Sequence, residues 1–91
     1  MERLWVARVH VSARTREKIT SRHGLDVDEI LANLVGVSGL LYTWHEHQEY
    51  GLRALVDVRL DAEKVLVVLF PTGTEDEYHL GSAYRVSRRS Q

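Results

Sequence analysis

The sequence has no cysteine, and this absence excludes a disulfide framework, a cysteine-based zinc site and a thiol nucleophile. Small secreted domains usually depend on disulfides, so the composition favours the cytoplasm. The N-terminal residues lack the long apolar stretch of a signal peptide, and the longest apolar run, Val65–Pro71, is far shorter than a membrane span. We therefore expect a cytoplasmic protein with no membrane partner.

The chain also lacks an excess of either charge, since 12 Lys and Arg residues stand against 13 Asp and Glu residues. This balance argues against a dedicated polyanion binder. The charges are nevertheless segregated: residues 1–23 carry six basic and two acidic groups, whereas residues 24–50 carry five acidic groups and neither Lys nor Arg. If the two ends of the chain meet in space, a basic surface forms opposite an acidic one.

The length and the apolar content are sufficient for one small core, because the chain has 91 residues of which 44% are hydrophobic. It contains a single proline and no repeat that would mark a boundary. Residues 1–91 are therefore expected to form one domain, with a flexible tail at 87–91.

The spacing of apolar residues predicts one early strand and then two helices. Leu4–Val11 alternates loosely, as a strand does. Ser12 is suited to cap a helix over residues 13–23, which Gly24 would end. Asp26 begins a second helix, whose apolar residues recur with the helical period at Val27, Ile30, Leu31, Leu34 and Val35.

Four strands are predicted after the helices, over residues 40–45, 52–60, 65–70 and 78–86. Trp5 and Trp44 are expected in the core, together with one of His79 and Tyr84, which strict alternation places on opposite faces of the last strand. The order β-α-α-β-β-β-β predicts an α+β fold, a small antiparallel sheet with two helices packed on one face and the other face open.

Three blocks of the sequence carry a family resemblance. They are Arg22-His23-Gly24 with the acidic-capped helix that follows, the strand Lys64–Val68, and the tail Ser82-Ala83-Tyr84-Arg85-Val86-Ser87-Arg88-Arg89. In order and approximate spacing they resemble the BrnT branch of the RelE/ParE toxin superfamily over residues 11–89. The family's Trp-Asp-Pro entry to the first helix is absent, and Tyr84 replaces one tail arginine.

The resemblance implies a small α+β toxin of a type II toxin–antitoxin system. Such a protein is a metal-independent endoribonuclease that needs no cofactor, and the ribose 2′-oxygen of its RNA substrate attacks the adjacent phosphate. The implied partners are a cognate antitoxin and an RNA that could be bound to the ribosome. A homodimer is also compatible with the resemblance.

Metal-free RNA cleavage requires a base, an acid and a cation that stabilises the phosphorane. The residue types that supply these groups identify the catalytic candidates, which are Arg85, Arg53, Glu46, His47 and Tyr84. Basic and stacking groups that could hold the RNA chain form a second set, which is Arg88, Arg89, His79, Arg14, Lys18 and Arg22.

Structural explanations stand beside each of these candidates. Strand arginines can simply form ion pairs, His45 and His47 can be the polar end of a hairpin, and His23 can stabilise a helix terminus. A non-catalytic protein-interaction domain on the same scaffold is therefore the alternative function. A metal site on His45 and His47 is a remoter hypothesis, because this pair supplies only two ligands, and no metal is expected.

Overall fold

Two helices and six strands form an α+β fold in residues 3–61 and 63–86, which this computed structural model describes. In chain order the elements are β1 (Arg3–Leu4), β2 (Arg8–His10), α1 (Ala13–His23), α2 (Val27–Ala32), β3 (Leu40–His47), β4 (Gly51–Leu60), β5 (Glu63–Pro71) and β6 (Glu77–Arg85). Neither described helix is long and apolar enough to cross a membrane.

The helix ends follow the predicted capping residues. The Ser12 hydroxyl accepts a hydrogen bond from the Thr15 backbone N–H at 3.1 Å, and Gly24 ends α1 in the left-handed conformation at φ 63°. The Asp26 carboxylate accepts from the Asp28 backbone N–H at 2.9 Å. The bounds of α1 are confirmed, whereas α2 ends at Ala32 and the apolar stripe continues into turns.

The sheet is mixed, so the prediction of a purely antiparallel sheet is wrong. The strand order is β1-β3-β4-β5-β6-β2, and β2 runs parallel to β6 while all other neighbours are antiparallel. An antiparallel row of four strands, β3 to β6, has outer strands that run in opposite directions. A single extended segment that pairs with both must be antiparallel to one and parallel to the other.

Residues 3–10 are that segment, and they divide into two short strands instead of the predicted single one. Only residues 5–7 separate β1 at one edge from β2 at the other, so the sheet curls until its edges approach. The break is held by hydrogen bonds from Gly36 N–H to the Val6 carbonyl and from Ala7 N–H to the Asp76 carbonyl, both at 2.8 Å.

The core lies inside this curl, where α1 packs on β6 and α2 approaches β4. Its fully buried side chains include Val6, Ile19, Ile30, Leu34, Val56, Val65, Val67 and Leu69. Trp5 and Trp44 are not core residues, since they are 45% and 41% exposed. Trp5 alternates with the buried Leu4 and Val6 and so points outward, and Trp44 lies near the end of the sheet.

A β-bulge in β6 overturns the predicted alternation of that strand. Val68 pairs with Ser82 but Leu69 pairs with Leu80, which leaves Gly81 as an extra residue. Leu80 and Ala83 therefore both face the core, while His79 and Tyr84 are both exposed. The expectation that one of these two would be buried is wrong because strict alternation ignores the inserted residue.

Gly81 should be indispensable for this bulge. A Cβ at position 81 would lie 2.3 Å from Cε2 of the Phe70 ring, which is far too close. We expect Gly81→Ala to lower the free energy of unfolding by about 1–3 kcal/mol in urea denaturation. The same substitution in a Phe70→Leu background should cost clearly less, and an equal loss in both backgrounds would contradict the steric explanation.

Candidate functional site

The β3–β4 and β5–β6 turns lie at one end of the sheet, here called the turn end. β3 and β5 finish there, at His47 and Pro71, and β4 and β6 begin there. The start of β2 belongs to the same end, because Arg8 pairs with Glu77. The residues collected here include Trp44 and four of the five histidines, namely His10, His45, His47 and His79.

A row of four polar side chains and one phenyl ring crosses the open face of the sheet at the turn end. The pairs His45–Arg53, Phe70–His79 and His79–His10 are Cα partners on neighbouring strands. Arg53 and Phe70 complete the row, because the next residues inward, Ala54 and Leu69, are partners. These five side chains (His45, Arg53, Phe70, His79 and His10), here called the histidine row, span five strands or about 19 Å.

His10 forms the best-defined acid–base unit of this row. Its Nε2 lies 2.6 Å from Oε2 of Glu77, and since an ionised carboxylate only accepts, Nε2 carries the proton. In the neutral ring Nδ1 is then an acceptor. This atom has no partner among residues 3–61 and 63–86. The His79 ring centre lies 5.5 Å from that of His10. Two imidazoles, one of them oriented by a carboxylate, therefore stand side by side on the surface.

His10 and Glu77 were missed as functional residues in the sequence. The loose alternation around Arg8 and His10 did predict a strand. The parallel pairing that brings His10 to Glu77 and His79 depends on the curl of the sheet, and no local pattern reports it.

Arg53 and the two histidines of β3 form a second group at the other end of the row. Arg53 Nε donates to His45 Nδ1 at 3.2 Å. The backbone N–H groups of Glu49 and Tyr50 donate to His47 Nδ1 at 3.0 and 3.3 Å, and the His45 and His47 ring centres are 6.5 Å apart. The Tyr50 ring, 64% exposed, lies 4.6 Å from that of His47.

Arg85 does not join this site. Its Nε donates to Glu63 at 2.8 Å, and its Nη groups donate to the carbonyl oxygens of His23 and Gly24 at the end of α1. Arg85 pairs with Val65 on β5, and Val65 pairs with Val58 on β4. Val58 lies five residues beyond Arg53 along β4, which is about 17 Å. In this arrangement Arg85 fixes α1 onto β6.

The other predicted site residues are also dispersed. Tyr84 is near Arg85, with its ring 6.1 Å from that of His23. Glu46 pairs with Leu52 and points to the face opposite His45 and His47. Exposed basic side chains follow the outer face of α1 at Arg14, Lys18 and Arg22. Arg88 and Arg89 lie outside the described residues. Of the predicted sets, the open face of the turn end thus brings together Arg53, His47 and His79.

A cleft of about 360 Å³ opens beside the histidine row, here called the acidic cleft. Its lining residues are Trp44, Pro71, Gly73, Thr74, Glu75, Asp76, Glu77 and Tyr78. Burial raises the pKa of the Tyr78 hydroxyl, and the nearby charge of Asp76 adds to this effect, followed by Tyr42. The Tyr78 hydroxyl therefore stays protonated at neutral pH. The cleft has a negative potential because Glu75, Asp76 and Glu77 line it.

Among residues 3–61 and 63–86, no three His, Asp or Glu side chains are placed to hold a metal ion. Comparison with family models, with curated proteins and with solved structures finds no significant match to this chain. The resemblance to RelE/ParE toxins therefore stays a prediction.

A structural role for Arg85 has a measurable consequence. Arg85→Gln should destabilise the domain by about 1 kcal/mol, because carbonyl groups at the end of α1 lose their donor. Hydrogen exchange should accelerate in the last turn of α1, whereas Arg59→Gln on β4 should leave that turn unchanged. Unaltered exchange in the Arg85 variant would return this arginine to the functional candidates.

Proposed function

We propose that this domain is a metal-independent endoribonuclease that cuts RNA on the open face of its sheet. The observation that carries the proposal is the pair His10 and His79, whose ring centres lie 5.5 Å apart. Glu77 is hydrogen-bonded to His10. Two adjacent imidazoles can serve as base and acid in one transphosphorylation.

The reaction follows from the tautomer of His10. Its Nδ1 takes the proton of a ribose 2′-hydroxyl, and the Glu77 carboxylate stabilises the imidazolium that forms. The 2′-oxygen then bonds to the adjacent phosphorus while the bond from phosphorus to the 5′-oxygen breaks. Protonated His79 gives its proton to this leaving oxygen. The products are a 2′,3′-cyclic phosphate and a 5′-hydroxyl.

Neighbouring side chains supply the remaining requirements. Arg8 lies two residues before His10 and therefore on the same face of β2, where its guanidinium can stabilise the phosphorane. The half-buried Phe70 ring, on the strand beside His79, offers a flat apolar surface on which an unpaired base can stack. No step requires a metal or an organic cofactor.

The resemblance to RelE/ParE toxins agrees with this proposal and gives it a biological setting. A protein that cuts cellular RNA in the cytoplasm must be restrained by a partner. A cognate antitoxin that covers the open face would block both imidazoles at once.

The acid–base pair can be tested on a short free RNA in a buffer that contains EDTA. We expect His10→Gln to lower the rate about 100-fold or more, because the base is removed. His23→Gln, which changes a histidine at the other end of the sheet, should cut normally.

Full activity in His10→Gln, or activity that EDTA abolishes, would contradict the proposal. A product with a 3′-hydroxyl end would exclude 2′-oxygen attack.

A second candidate function, a non-catalytic protein-interaction domain, is favoured by the acidic cleft. Three consecutive acids, Glu75, Asp76 and Glu77, lie with Trp44 and Tyr78 along a concavity that would repel phosphate. Exposed aromatic groups beside carboxylates suit the Lys and Arg side chains of a basic protein segment, through ion pairs and cation–π contacts.

Peptide binding would distinguish this second candidate. An Arg- and Lys-rich peptide should quench tryptophan fluorescence in a salt-sensitive manner, and Trp44→Ala should weaken its affinity about tenfold or more. Trp5→Ala removes an equally exposed tryptophan outside the cleft and is the matched control. Equal losses in the two variants would show that the cleft is not the binding site.

A further inference from the structure

The β3–β4 hairpin fixes the tautomers of two imidazoles. An arginine Nε–H can only donate, so His45 Nδ1, which lies 3.2 Å from Arg53 Nε, must be an unprotonated acceptor. Backbone N–H groups also only donate, so His47 Nδ1 is an acceptor as well. In the neutral form of each ring, the proton is consequently on Nε2.

With these tautomers, the hairpin presents a cluster of hydrogen-bond donors. Both Nε2–H groups donate, and the Arg53 side chain makes only its Nε contact among the described residues, which leaves its Nη hydrogens for a ligand. His45 and Arg53 are partners across the hairpin, and the two imidazole centres are 6.5 Å apart. No acceptor atom of these three side chains is left over, so the cluster suits an oxyanion and not a cation.

We propose that His45, His47 and Arg53 form a phosphate-binding subsite of the RNA substrate, separate from the point of cleavage. It lies on the same face as His10 and His79, two to four strands away, where a more distant phosphate of the same RNA backbone can be held. The exposed Tyr50 ring beside His47 can stack on the attached base. The identity of the ligand as RNA rests on the proposed function, whereas phosphate binding rests on the hairpin alone.

The same tautomers exclude these histidines from the role of base. Proton acceptance would have to occur at Nδ1, which is occupied in both rings by a fixed donor. The hairpin therefore binds a phosphate and positions the RNA, and it does not take part in proton transfer. The carboxylate of Glu49 belongs to the same turn and reduces the affinity for anions, while Glu46 points to the opposite face.

Matched variants can separate binding from folding. In His47→Asn the amide oxygen can replace Nδ1 as acceptor for the two backbone N–H groups, while the Nε2–H donor is lost. Arg53→Gln removes the guanidinium, and Arg59→Gln makes the same charge change six residues along the same face of β4. The amide signals of Glu49 and Tyr50 report whether the turn is intact.

Titration of the ¹⁵N-labelled protein with inorganic phosphate, followed by NMR, tests the subsite. We expect the Nε2 signals of His45 and His47 to shift, and the affinity to fall about tenfold in Arg53→Gln and severalfold in His47→Asn. Arg59→Gln should bind normally. Equal weakening in both arginine variants, or phosphate shifts at His10 and His79 alone, would overturn the proposal.

An oligonucleotide with 2′-deoxyribose throughout, which cannot be cut, separates this inference from the proposed function. If it binds at the hairpin while no RNA is ever cleaved, the subsite stands and the nuclease proposal fails. If RNA is cleaved with equal KM by the wild type and Arg53→Gln, the nuclease proposal stands and the subsite fails.

Discussion

The closure of the sheet by residues 3–10 is the constraint on which the rest of the structure depends. This segment pairs with β3 through its first residues and with β6 through its last, so two edges that are distant in an open sheet become neighbours. The buried Val6 lies at the join and accepts a hydrogen bond from Gly36. Because the sheet curls, one of its faces encloses the core, and the other face is left open.

The candidate chemistry follows from that closure. β2 runs parallel to β6, and this pairing places His10 beside His79 and within hydrogen-bond distance of Glu77. The bulge at Gly81 contributes as well, because it lets β6 turn Leu80 and Ala83 to the core and keep His79 on the open face. A small chain thereby places polar groups from four strands, and the Phe70 ring from a fifth, in one row without burying any of them.

Local patterns predicted the elements well and their assembly less well. Ser12, Gly24 and Asp26 act within a few residues of their own position, so the helix starts and the end of α1 were predictable. The parallel pairing of β2 and the bulge in β6 depend on contacts between residues about 70 apart or on one inserted residue, and neither has a periodic signature. Arg53 and His47 were recognisable as candidates from their residue types. The role of Arg85 at the end of α1 was not recognisable, because it depends on contacts between residues that are distant in the sequence.

The histidines of the turn end differ in which nitrogen is available, and this difference divides their roles. A carboxylate holds Nε2 of His10 and leaves Nδ1 as an acceptor, as a general base requires. Fixed donors hold Nδ1 of His45 and His47 and leave Nε2–H as a donor, as an anion ligand requires. Residue type alone cannot separate these functions, because all three are surface imidazoles on strands. Their hydrogen-bond partners separate them, and the proposed nuclease would need both kinds on one face.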